Sequence, residues 1–246
     1  MNQVDSRHSP IQRLTRAAAN VCTLNRDREY AALKRMLELK STDRVLDLGC
    51  GDGFWTSRIA PYSGQVTGLD PDEKSLNFAR HFRCRPNITY VQGFAESLPF
   101  PDGSFDKIIS VSCVEHFADP LQSMKEMARV LSPGGRIALS IDSLLAENSG
   151  EAFRQWHKRR HYVTQYFDQQ TLTEMLSNAG FRTESRRIVH LFRSRFAGML
   201  RAAFIRRPRL WLPLFPAFYL SVRVSDRLFD DHHGQILVVT GSVRKH

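Results

Sequence analysis

Apolar positions along the chain come in short blocks whose spacing switches between the helical and the strand period. Between Leu24 and Lys40, Tyr30, Leu33, Met36 and Leu37 recur at helical spacing, and Ser41-Thr42-Asp43 breaks the pattern. Arg44–Leu48 is a buried strand that stops at glycines. Phe54–Ala60 is a helix ended by Pro61, Val66–Leu69 a second strand and Asp72–Phe82 a second helix. Strands follow at Ile88–Val91 and Phe105–Val111, then a helix at Pro120–Leu131, whose apolar residues are Leu121, Met124, Met127, Ala128 and Leu131. Pro133-Gly134-Gly135 reads as a turn before a strand at Arg136–Ile141. Residues 142–166 lack one clear period and read as an irregular, partly helical insertion. Thr171–Ala179 is a helix that Gly180 closes with a left-handed C-cap. Phe181–Leu191 and Ile236–Val243 complete the predicted strands.

Strands alternating with helices predict an α/β fold with a mostly parallel sheet. No internal repeat or low-complexity tract interrupts it, so residues 1–246 read as one domain with a helical cap over 1–43.

The strongest local feature is Val45-Leu46-Asp47-Leu48-Gly49-Cys50-Gly51-Asp52-Gly53. Three glycines follow a strand and open a helix, where they let backbone approach a ligand without a Cβ clash. Asp70 ends the next strand, 21 residues after Gly49, where an acid can take both hydroxyls of a ribose. Asp47 and Asp52 flank the loop and would repel a pyrophosphate, which argues against a nicotinamide cofactor. A ligand carrying an ammonium and a sulfonium would be favoured by the same acids.

These motifs resemble those of the class I S-adenosylmethionine-dependent methyltransferases. Val45–Gly53 is similar to the family's first motif and Leu69-Asp70-Pro71 to its second-strand acid. Gln92–Phe100 resembles the segment that lines the adenine pocket, with Phe94 where most relatives carry an acid, so that a ring would cover the adenine and Ala95 would offer its amide. Pro101–Asp106 and Leu131–Arg136 match the turns before the fourth and fifth strands. The resemblance spans residues 44–141. It implies a Rossmann-like, seven-stranded, mostly parallel sheet with an antiparallel last strand and helices on both faces. It also implies S-adenosyl-L-methionine as cofactor, held by Asp47, Gly49, Cys50, Gly51, Gly53, Asp70, Pro71, Phe94, Ala95 and Ser112.

The fourth strand runs into Ser112-Cys113-Val114-Glu115-His116, at the carboxyl end that faces the ligand crevice in such sheets. Glu115-His116 resembles a pair common in the small-molecule branch of the family. His116 is the candidate general base, because imidazole titrates near neutral pH; the alternative is that it only shapes the loop. Residues 142–166 correspond to the acceptor side in relatives, which makes His161, Tyr162 and Tyr166 candidate substrate contacts, against the alternative of a solvated basic turn. The four cysteines form no C-x-x-C pair, so neither a disulfide framework nor a metal site is expected.

The net charge of +10 changes the picture once it is located. Residues 193–228 hold eight arginines and one acid, Asp226, a net of +7 in 36 residues, which leaves +3 for the other 210. The arginines flank a 13-residue apolar run, Leu210–Val222, with two prolines in it. That run is too short to cross a bilayer and too broken for one straight helix. Arginine beside Trp, Phe and Leu suits a membrane interface; a lid over the acceptor pocket and a dimer contact are the alternatives. This basic apolar insertion precedes the last strand.

An apolar fraction of 42% with 24% charged residues excludes a disordered chain. The polar N-terminus shows no secretory signal, and a cytoplasmic protein is expected. The expected activity is methyl transfer to a small-molecule acceptor, lipid or lipid-linked, at the membrane surface. A nucleic-acid methyltransferase is the second reading, disfavoured because the positive charge is interleaved with bulky aliphatics. A non-catalytic cofactor-binding scaffold is the third.

Overall fold

A computed structural model describes residues 26–144, 149–228 and 234–243. Residues 1–25 of the expected 1–43 cap, residues 145–148 of the first insertion, and residues 229–233 and 244–246 lie outside the described residues.

The elements in chain order are α1 (Arg26–Leu37), β1 (Arg44–Leu48), α2 (Phe54–Ile59), β2 (Gln65–Asp70), α3 (Glu73–Phe82), β3 (Ile88–Gln92), β4 (Phe105–Val111), α4 (Pro120–Val130) and β5 (Leu131–Asp142). They continue with α5 (Glu151–His161), α6 (Gln169–Asn178), β6 (Arg182–Leu191), α7 (Arg195–Arg206), α8 (Pro208–Trp211), α9 (Phe215–Leu228) and β7 (Ile236–Ser242). The seven strands form one sheet in the order β3-β2-β1-β4-β5-β7-β6. All neighbours pair parallel except β7, which runs antiparallel to both β5 and β6. The strand order reverses between β1 and β4, and ligands of open α/β sheets bind beyond the carboxyl ends at that point.

The period of two along each strand divides the core between two faces. Leu46, Ile108, Ile137 and Leu237 pack under α4 and α6 with Met124, Met127, Leu172 and Leu176. Their chain neighbours Val45, Ile109, Ala138 and Val238 point the other way, under α1 and the 193–228 insertion with Leu33, Leu37, Phe204 and Val222.

Two local expectations differ from the structure. β5 begins at Leu131 rather than after the Pro133-Gly134-Gly135 turn: Leu131 pairs with Phe105 and Arg136 with Lys107, so the turn is a bulge opposite Asp106, with Gly134 at φ 78°. Residues 151–161 form a regular helix, α5. Its period is hidden in the sequence because one of its two buried side chains, beside Phe153, is the polar His157. Gly180 has φ 93°, as its C-cap position requires. The 193–228 insertion is helical and broken by its prolines: α8 starts at Pro208, and Pro216 lies in the first turn of α9.

Candidate active site

The glycine loop joins β1 to α2 at the switch point. Gly49, Gly51 and Gly53 have φ of 76°, 51° and 74°, a region L-residues rarely enter. A Cβ on Gly49 would lie 2.0 Å from Cys113 Sγ, and one on Gly53 2.4 Å from the Tyr90 hydroxyl. A Cβ on Gly51 would meet nothing within 4 Å. Two of the glycines are therefore required by packing, whereas Gly51 turns its missing side chain towards open space above the loop.

Asp70 closes that space. One oxygen accepts the Gly51 N–H at 2.8 Å and the other the Asp72 N–H at 2.9 Å. A carboxylate has about four acceptor positions, so the half-buried Asp70 keeps capacity for a ligand's hydroxyls. The amides of Gly49 and Cys50 both donate to Leu69 O, which fixes the loop against the end of β2. Pro71 is exposed beside it. Phe94 follows β3 with its ring 66% exposed, while Ala95 is buried. Gly93 N–H donates to Asp70 O, and this brings the aromatic next to the same acid. The residues fit the cofactor that the sequence motifs imply: a left-handed glycine turn with open space above Gly51, an acid at its lip and an exposed ring alongside.

Asp47 and Ser112 differ from expectation. Asp47 is 1% exposed and accepts a 2.6 Å hydrogen bond from the Thr56 hydroxyl. Its side chain is thus held inside the protein against α2. Burial, with smaller contributions from Asp70 and Asp52, pushes its carboxyl up to about 7. Cys50 is buried under the same turn, and burial raises its thiol well above the ordinary range. Ser112 follows β4 with φ 49° and donates its hydroxyl to Glu29 at 3.4 Å.

Glu29 was not legible as a site residue. It lies on α1, is buried, and accepts the Ser140 hydroxyl at 2.6 Å, so α1 is stitched to the ends of β4 and β5. The available signal was its register: Glu29, Leu33, Met36 and Leu37 share one helical stripe, and one member is a carboxylate.

His116 lies in a short 3-10 turn after β4, and its side chain is exposed. Its Nδ1 is 3.4 Å from the Tyr162 carbonyl. A carbonyl only accepts, so the proton belongs on Nδ1 and Nε2 is left as the basic nitrogen. Glu115 is fully buried. Its main-chain oxygen accepts the Thr164 N–H and hydroxyl, tying the loop after β4 to the segment after α5. Burial and nearby Asp142 push the Glu115 carboxyl well above the carboxylate range.

The predicted acceptor contacts divide. Tyr162 holds the left-handed C-cap of α5 and is 84% exposed, and its carbonyl meets His116. Tyr166 is half-buried, and its hydroxyl is 3.1 Å from His157 Nδ1. His157 Nε2 in turn is 3.4 Å from Asp142 at the end of β5. Burial lowers His157 to about 4, so the ring is neutral at physiological pH. The His161 ring is 4.6 Å from that of His157. Asp142 also takes the guanidinium of Arg201, which is 1% exposed and reaches in from α7. Arg201 Nη1 donates to Gln235 at 3.2 Å. The insertion is thus fastened to the carboxyl end of β5 by one of its own arginines.

A family model described as a methyltransferase domain matches residues 46–139. The chain is 30% identical over 175 residues to the demethylmenaquinone methyltransferase of Lactococcus lactis subsp. lactis, covering 61% of this chain and 69% of that one. It is 36% identical over 123 residues to the 27-O-demethylrifamycin SV methyltransferase of Amycolatopsis mediterranei, covering 48% and 45%. It is 38% identical over 105 residues to the methyltransferase YcgJ of Bacillus subtilis, covering 42% of each. The chain thus spans about half the length, or less, of several curated relatives it matches. The solved structure of YcgJ aligns with a TM-score of 0.65 at 22% identity, covering 89% of this chain and all of that one. Phosphoethanolamine N-methyltransferase 2 of Haemonchus contortus, in complex with S-adenosyl-L-methionine, aligns with a TM-score of 0.65 at 21% identity, covering 89% and 53%. At these identities the structural likeness is one of fold.

Proposed function

The chain belongs to the class I S-adenosylmethionine-dependent methyltransferases, and from that premise we propose that it methylates a lipid or lipid-linked small molecule at the cytoplasmic membrane surface. Bound S-adenosylmethionine supplies the activated methyl carbon. Asp70, the Gly49–Gly53 loop, Pro71, Phe94 and Ala95 bind and orient the cofactor, with Asp47 contributing charge from below. His116 Nε2 takes the proton that an acceptor hydroxyl or activated carbon releases, while Tyr166 and His161 line the acceptor side.

One observation carries the choice of acceptor. Phe196, Met199, Leu210, Leu214, Leu220, Val224 and Leu228, all in the 193–228 insertion, are exposed, and exposed Arg195, Arg206, Arg207, Arg223 and Arg227 lie among them. Apolar side chains interleaved with arginine favour the interface of an anionic leaflet, at about 1 kcal/mol for each basic residue near the surface. Among the described residues no helix is long and apolar enough to cross a membrane.

The test is co-sedimentation with neutral and anionic vesicles, using the full chain and a variant with residues 193–228 replaced by a short hairpin. S-adenosylhomocysteine binding by both proteins is the folding control. Anionic-vesicle binding that requires the insertion supports the reading. A folded full chain that ignores both vesicle types overturns it.

A further inference from the structure

The last turn of α7 meets the first half of α5 over a pair of stacked rings. Phe153 and Trp156 on α5 have centroids 5.8 Å apart and planes inclined by 21°. Arg206, in the last turn of α7, brings its guanidinium carbon to 5.5 Å from the Phe153 ring and 5.6 Å from the Trp156 ring. His161 meets the same Trp156 edge-on, with centroids 5.9 Å apart.

Charge around this point is unbalanced. Arg154 is paired with Glu151, and Arg201 with Asp142. Among the described residues no carboxylate pairs with Arg206, and Lys158, Arg159 and Arg160 are exposed on the neighbouring turn. The helix macrodipole favours basic residues at helix C-termini. It does not account for a guanidinium laid against two rings of another helix. Such contact restrains the guanidinium and leaves its edge donors available, in a planar fork that matches two oxygens of a phosphate. The location is also apt: His161 leads directly into Tyr162, whose carbonyl meets His116.

We propose that Arg206, supported by His161 and the last turn of α5, binds a phosphate or pyrophosphate group of the acceptor, so that the methylated compound is a phosphorylated one. This rests on the reading of residues 142–166 as the acceptor side and adds a chemical class to it.

The probe is inorganic pyrophosphate, titrated into the full chain while following tryptophan emission, with Trp156→Phe assigning the signal. A saturable response is expected. Arg206→Gln should weaken it about tenfold or more, and Arg206→Lys should retain part of it, because charge survives and the fork does not. S-adenosylhomocysteine affinity should be unchanged in each variant. A folded chain with no saturable response, or one whose response survives Arg206→Gln intact, overturns the proposal. Vesicles of phosphatidylcholine with and without phosphatidic acid separate the sources. Phosphatidic acid vesicles that compete with pyrophosphate support a lipid phosphate. Pyrophosphate binding by a chain that ignores all vesicles supports a soluble phosphate ester and overturns the membrane reading alone.

Discussion

Arg201 and Asp142, 59 residues apart in sequence, form an ion pair inside the protein, with Arg201 1% exposed. One of the eight arginines of the basic apolar insertion is therefore an internal fastener between α7 and the carboxyl end of β5. Removing one partner from such a pair leaves the other charge buried, which typically costs about 3–5 kcal/mol. Arg201→Met is expected to lose stability on that order in chemical denaturation. Arg201→Met with Asp142→Leu should recover much of it, because an apolar pair needs no compensating charge. A single variant as stable as the parent would mean that the pair is solvated.

The glycine loop offers a sharper contrast. Gly49→Ala combines a left-handed φ, costing about 1–2 kcal/mol, with a Cβ driven into Cys113, costing about 1–3 kcal/mol more. Gly51→Ala has the strain without the collision. The first variant should unfold at markedly lower denaturant. The second should fold with a small loss but bind S-adenosylhomocysteine at least about tenfold more weakly, since its methyl occupies the open side of the turn. Thermal melts and calorimetry on both variants check this; normal ligand affinity in Gly51→Ala would show that the loop face is not the binding face.

The succession of strands and helices and the left-handed glycine turn were readable because each rests on local pattern: apolar runs of strand or helix period, and glycines between a strand and a helix. Glu29, Asp142, His157 and Arg201 were not, because their meaning depends on partners far away in the chain. Glu29 and Arg201 did leave a trace. Each occupies a stripe of otherwise buried positions, Glu29 with Leu33 and Leu37, Arg201 with Ala197 and Phe204. A charge on an apolar stripe asks for a buried partner, but the sequence does not name it. The exposure of Tyr162 was hidden for the opposite reason: it sits at a left-handed C-cap that sequence does not announce.

His116 can be separated from a purely structural role by its exposure. His116→Gln keeps a donor for the Tyr162 carbonyl and removes the basic nitrogen. With a hydroxyl acceptor, methyl transfer should fall by about 100-fold or more, while S-adenosylhomocysteine affinity stays within about twofold. Initial rates of parent and variant with the same acceptor provide the check, and an unchanged rate in the variant would remove His116 as the base.

Asp47 is expected to couple cofactor binding to pH. Its folded carboxyl is pushed up to about 7, against an ordinary value of 3.8. A raised folded value means that the folded protein holds the proton more tightly than the unfolded chain does. Its contribution to stability is therefore full below about 3.8 and is lost as pH rises through about 7. Asp47→Asn removes this dependence, so the parent should lose stability relative to the variant between pH 4 and pH 7, by a few kcal/mol. A cationic ligand on the loop above favours the ionised form and expels the proton. S-adenosylhomocysteine, which keeps the ammonium, should then bind more tightly as pH rises from 5 towards 7, by at most about tenfold per pH unit. Calorimetry at pH 6 in two buffers of different ionisation heat should register up to about one proton released per ligand, and none in Asp47→Asn. Equal heats in the two buffers for the parent protein would show that the ligand's charge is not felt at Asp47, and the acids flanking the glycine loop would lose their role in selecting a cationic cofactor.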